Sequence, residues 1–243
     1  MKYGKWIIKK FYSSMTRKAE KLLLPHYPEA RVSEISKAIE SKYDEVIQRL
    51  PYVGGLRNFY TPIIIVNGWF VCVYRAMHSI GIEDAVIGYV ISEATDDLFD
   101  HVPGFLAKRI KKIVFSGFFK RVIQKQAKKS RRMKFAGDWV YSVEFPEWGS
   151  RGDEREIKLV FNECGVHKYY EQEKCEALKK YCNFCDPQYS IRYKLGLDAN
   201  HTMAQGCKEC VLAFNNKRET VLPDNITQMN KKAQMYLNDC KHH

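Results

Sequence analysis

The patterning of the chain predicts an α+β fold: a helical N-terminal half followed by an α/β half with a small, mainly antiparallel sheet. Three observations carry that reading. Apolar residues recur at three- and four-residue steps through the first half, the period of an amphipathic helix. The period then drops to two at Trp139, Tyr141, Val143 and Phe145, as in a half-buried strand. The strand-like runs are short and alternate, which favours antiparallel pairing over a buried parallel sheet. The two halves divide near residue 132, into a helical region over 1–132 and an α/β region over 133–243. No linker separates them, so both can share one core. The 243 residues, 45% apolar and 13% aromatic, suffice for one large domain or two small ones and argue against wholesale disorder.

Element by element, residues 32–50 place Val32, Ile35, Ala38, Ile39, Tyr43, Val46 and Leu50 on one side of a helix that Pro51 ends. Residues 61–80 are apolar nearly all round, which reads as a buried helix with Asn67-Gly68 as a local irregularity and Gly81 as its stop. A further helix over 83–98 opens on acidic residues suited to the positive end of its dipole. Over 105–127 the pattern predicts one more helix, with Ile110, Ile113, Val114, Phe118, Val122 and Ile123 along its packed side. Strands are expected over 138–145 and 156–161, separated by a turn-rich break at 146–152. A helix follows over 166–181, then a strand pair or a strand bent at Gly206 over 203–214, and a closing helix over 226–237.

No stretch reaches the roughly 20 apolar residues of a spanning helix. The nearest, 62–74, is interrupted by Asn67 and Gly68. The N-terminal residues 1–12 carry lysines at both ends and a short apolar run, unlike a secretory signal. A cytoplasmic protein with reduced thiols is therefore expected.

Lys and Arg total 40 against 28 acidic residues, a net charge of +12. Residues 107–134 hold twelve basic side chains and no acidic one, so the remainder of the chain balances at 28 against 28. The first reading of this segment is a solvated helical face. The alternative is attraction to an anionic membrane surface or a partner. Nucleic acid is not expected, because no recognised binding motif accompanies the charge.

Six cysteines fall within 47 residues: Cys164, Cys175, Cys182, Cys185, Cys207 and Cys210. Cys182/Cys185 and Cys207/Cys210 are C-x-x-C pairs, a spacing that lets two thiolates reach one tetrahedral ion and two pairs complete a Cys₄ zinc site. Buried packing of small thiols and a catalytic thiol remain as alternatives.

The run Glu163-Cys164-Gly165-Val166-His167, the Cys185-Asp186-Pro187 step and the His201-Thr202-Met203-Ala204-Gln205-Gly206-Cys207 turn leading to Cys210 and Phe214 resemble the L-2-amino-thiazoline-4-carboxylic acid hydrolase family. Pro51, Gly54, Gly55 and Asn58, then Tyr74-Arg75-Ala76 and Gly81-Ile82-Glu83-Asp84, extend the resemblance over most of 50–214. His201 departs from the arginine that often precedes the threonine in that family, and Cys182 and Cys207 convert single cysteines into pairs. The resemblance implies a hydrolase that opens a small cyclic amidine or amide. Asp186, Cys164 and His201 would be its catalytic residues, and Glu163, Thr202 and Gly206 its substrate contacts.

Ring opening needs water at an amidine-like carbon and protonation of the leaving ring atom, and a carboxylate can serve as the general base. Asp186 suits that role. Cys164 suits a nucleophile, or a bound zinc would activate the water. The competing assignments are a cap or turn residue before Pro187 for Asp186, a core thiol at a strand end for Cys164, a satisfied histidine for His167 and a turn residue for His201. A different class of function also fits the cysteines: a non-catalytic, zinc-braced module that binds a small ligand, similar to 4-vinyl reductase-like domains.

Overall fold

The computed structural model describes residues 4–55, 58–100, 102–148 and 153–239. Seven helices come first: α1 (Lys5–Leu23), α2 (Glu29–Glu40), α3 (Tyr43–Arg49), α4 (Thr61–Ser79), α5 (Asp84–Asp100), α6 (Gly104–Val114) and α7 (Gly117–Ser130). Strands β1 (Val140–Glu144) and β2 (Glu156–Glu163) follow, then α8 (Gly165–Gln172), a 3-10 turn (Glu176–Tyr181) and α9 (Cys185–Tyr193). The chain ends through β3 (Leu197–His201), a short 3-10 turn (Met203–Gln205), β4 (Cys210–Asn215) and α10 (Asp224–Asp239). The fold is α+β, with a four-stranded antiparallel sheet in the C-terminal half. Among the described residues no helix is long and apolar enough to cross a membrane. The N-terminal and C-terminal ends of the sequence, including His242 and His243, lie outside the described residues.

The chain forms two compact units, each assembled from separate stretches: residues 1–95, 166–182 and 227–243 in one, residues 96–165 and 183–226 in the other. Helices α6 and α7 group with the sheet.

The first unit is helical. Its core is dominated by α4, where Ile64, Trp69, Phe70, Val71, Cys72, Val73, Ala76 and Met77 are all buried. Several polar groups inside it are paired, as burial favours. The Trp69 indole donates to Thr16 Oγ1 at 3.1 Å, the Thr16 and Tyr43 hydroxyls meet at 2.5 Å, and Tyr12 donates to the Ile65 carbonyl at 2.9 Å. Tyr170 donates to Asn67 Oδ1, and Asn67 Nδ2 donates to the Ile63 carbonyl at 2.8 Å. Asn67-Gly68 is therefore no irregularity, since α4 runs straight through it. Gly68 lets the tyrosine approach, for a Cβ there would lie 2.1 Å from Tyr12 Oη. The Glu173 carboxylate is fully buried and accepts from Arg49 Nε at 3.1 Å and Arg75 Nη2 at 2.9 Å.

The second unit carries the sheet, in the order β1-β2-β4-β3. Its register aligns Tyr141 with Phe161 and Cys210, Val143 with Leu159 and Leu212, and Ile157 with Phe214 and Leu197. Alternation puts these residues on one face. Of them Tyr141, Ile157, Phe161, Leu197, Cys210, Leu212 and Phe214 are buried. Helix α9 packs on β3, α7 on β1 and α6 on α9. Ser130 Oγ ties the end of α7 to β1 by accepting from the Tyr141 N–H at 3.1 Å.

Several sequence expectations are corrected. The helix expected over 32–50 is two, α2 and α3, broken where the Ser41 hydroxyl donates to the Ala38 carbonyl at 2.7 Å and caps the first of them. The helix expected over 166–181 ends at Gln172, and Lys174 takes φ 53° before the 3-10 turn begins. The helix expected over 105–127 breaks at Phe115-Ser116, where Phe115 turns inward and Ser116 Oγ accepts the Phe119 N–H at 3.2 Å as an N-cap. That break rotates two apolar residues out of the packed side: Ile113 is 54% and Phe118 is 74% exposed.

Candidate functional site

One end of the sheet gathers most of the singled-out residues of the second unit. β2 delivers Glu163 and then Cys164 there, β3 delivers His201 and then Thr202, and β4 begins with Cys210. The register shifts between Val140 and Tyr141 and between Asp198 and His201, so the ladder is irregular at this same end. Such irregularities re-aim the side chains beside them. Gly165, immediately after Cys164, fits against the Gly137 carbonyl oxygen and the Trp139 ring, which a Cβ would meet at 2.3 and 2.7 Å.

Asp186 sits in the first turn of α9, where Pro187 is tolerated because the amide it lacks has no helical partner. The residue keeps some contact with solvent, yet protein surrounds its carboxyl group closely enough that burial pushes the pKa up to about 7. A hydrogen bond from the Tyr189 phenol works in the opposite direction and is the smaller effect. Tyr189 lies three residues on, hence on the same helix face. Its ring is held between Phe214, at a centroid distance of 6.4 Å, and Phe99, at 6.2 Å. Burial first, and the nearby Asp186 and Cys185 next, hold the Tyr189 phenol far above its ordinary pKa, so it stays protonated and donates.

Cys210 Sγ accepts the Met203 N–H at 3.2 Å. Burial pushes its thiol up to about 12, and negative charge on Cys164, Asp186 and Cys207 pushes in the same direction. Cys210 thus lies close enough to Cys164, Asp186 and Cys207 to feel them electrostatically. At neutral pH Cys210 is a thiol and a poor nucleophile. The exposed His201 places Nδ1 3.6 Å from Cys207 Sγ.

Thr202 is fully buried and is used locally. Its N–H and hydroxyl both donate to Gln205 Oε1, at 3.1 and 2.9 Å, in a reciprocal cap of the 3-10 turn that Gly206 closes at φ 87°. Glu163 is half-buried at the end of β2. In the helical unit, Cys182 Sγ lies 3.1 Å from His167 Nε2, and burial lowers the pKa of that histidine. Among the described residues no three His, Cys, Asp or Glu side chains are arranged to hold a metal ion. The zinc expectation at Cys182, Cys185, Cys207 and Cys210 rests on their C-x-x-C spacing.

Tyr189 is the residue that sequence reasoning missed. Its only signal was its position three residues after Asp186, which becomes informative once a helix is known to start at Cys185. No known protein family, curated protein or solved structure matches the chain. The resemblance to the thiazoline hydrolases consequently stands on the motifs themselves.

Proposed function

We propose that the sheet-bearing unit is a hydrolase for a small cyclic amidine or amide, with Asp186 as its general base. The observation that carries this reading is the Asp186 carboxyl group, raised by burial to about 7 and hydrogen-bonded by the Tyr189 phenol, in a residue that is itself partly exposed. A carboxyl group near neutrality takes and returns a proton at little cost, which is the property a general acid–base needs. Asp186 removes a proton from water as the water oxygen bonds to the amidine or amide carbon. The ring C–N bond then breaks and the departing nitrogen receives the proton. Cys164, at the same end of the sheet, is the alternative nucleophile; Cys210 is excluded from that role while it remains a thiol.

The test incubates the full chain with thiazolines, hydantoins and related cyclic amides. On a substrate so identified, Asp186→Asn should lower kcat by about two to four orders of magnitude with the circular dichroism spectrum unchanged. Near-normal kcat in that variant removes Asp186 from the mechanism. Absence of turnover across the panel, together with a rise in melting temperature on adding one of these compounds, favours the ligand-binding module instead.

A further inference from the structure

The twelve cations of residues 107–134 are not spread over an otherwise polar surface. On α6, Phe105, Leu106, Arg109, Lys112 and Ile113 follow the spacing of a single helix face, and all five are exposed. Phe105 is 67% and Leu106 41% exposed, beside Ile113 at 54%. On α7 the same spacing groups Phe118 with Arg121, Lys125, Lys128 and Lys129, again all exposed. Ala107 on α6 and Ile123 and Ala127 on α7 are the residues that pack inward. The two helices pack against each other, and their junction is pinned by Arg155 donating to the Phe115 carbonyl.

We propose that this helix pair is a docking surface for an anionic phospholipid bilayer. A solvated face would carry charge without apolar residues; this one alternates large apolar side chains with cations that have long apolar stems. That combination suits the boundary between headgroups and acyl chains, where rings insert and ammonium or guanidinium groups remain among phosphates. Among the described residues none of the twelve cations is ion-paired; Lys120 sits over the Phe145 and Trp148 rings and Lys134 over the Phe135 ring, and the others leave their charge to an external anion. Lys111 agrees with this: its pKa is lowered by partial burial and further by the like charges of Lys194 and Lys217. Lys194, just after α9, and Lys217, just after β4, thus add positive charge beside α6. Nucleic acid is the less favoured anion, since phosphate contacts give no role to exposed Phe105, Leu106 and Ile113.

The full chain should co-sediment with vesicles of phosphatidylserine mixed with phosphatidylcholine and should not bind phosphatidylcholine alone. Raising sodium chloride from physiological strength to about 1 M, which shortens the screening length from about 8 to about 3 Å, should release it. Neutralising Arg109, Lys112, Arg121 and Lys125 to Gln should weaken partitioning about fivefold per residue, several hundredfold together. Phe105→Ser combined with Phe118→Ser should also weaken it at unchanged charge. All six positions are exposed, so these variants should fold as the parent does. Equal binding to both kinds of vesicle overturns the proposal, as does anionic binding that survives either set of substitutions. Retardation of RNA or duplex DNA with no vesicle binding overturns it in favour of nucleic acid.

Discussion

Replacing Asp186 by Asn should make the protein more stable at neutral and alkaline pH. A carboxyl group moved from its ordinary value of 3.8 to about 7 prefers its protonated form in the folded state. Between about pH 4 and pH 7 the native protein holds a proton that the unfolded chain has released. This group consequently makes stability fall as pH rises through that window, and the loss is complete above 7. At about 1.4 kcal/mol per tenfold change in proton affinity, the full effect is about 4 kcal/mol. Residual solvent contact at Asp186 reduces the expectation to about 2 kcal/mol. Urea denaturation of parent and variant from pH 4 to pH 8 measures it as a difference, which cancels the titration of every other group. The two curves should nearly coincide at pH 4 and separate steadily, with the variant the more stable at pH 8. A variant that is less stable at pH 8, or a separation independent of pH, would refute a carboxyl group perturbed by burial.

Three further outcomes are expected elsewhere in the chain. Gly165→Ala should destabilise by about 1–3 kcal/mol in thermal unfolding, because its Cβ would meet the Gly137 carbonyl at 2.3 Å. Glu173→Ala should cost about 3–5 kcal/mol in chemical denaturation, since it leaves Arg75 and Arg49 without their buried carboxylate. An alkylating reagent at pH 8 should leave Cys210 unlabelled in the folded protein, as mapped by mass spectrometry, because that thiol ionises only near 12.

Much of the fold was legible because burial imposes a period. Helix α4 is buried on nearly every side and reads so; β1 and β2 alternate and read as strands. What escaped was local. The five-residue strand β3 buries Leu197 and Ala199 but carries Asp198, Asn200 and His201, too polar a run to register as a strand. Helix α9 opens on Cys-Asp-Pro, a tripeptide that resembles a turn as much as a first helical turn. Splitting the 105–127 helix required Ser116 to be read as a cap, and an apolar pattern alone points Ile113 and Phe118 toward the core. The site followed the same rule. Asp186 and the cysteines were visible as residue types at suggestive spacings, whereas the spatial company of Cys210 with Cys164, Cys207 and Asp186 depends on β2 and β4 pairing Phe161 with Cys210.

The contrast between Asp186 and Cys210 explains why the carboxylate, and not this thiol, is assigned the chemistry. Both groups lose their negative form to the same cause, removal from water, and both are pushed up by it. The consequences are opposite because the starting points differ. A carboxyl group raised from 3.8 arrives near 7, where proton exchange is cheap in either direction. A thiol raised from 9.0 arrives near 12, where its nucleophilic form is scarce. The two are also coupled in sign: when Asp186 gives up its proton, its charge holds Cys210 still more firmly as the thiol. Under the proposed hydrolase reading, the same desolvation therefore suits Asp186 to proton exchange and keeps Cys210 a thiol, which favours attack by water over attack by Cys210.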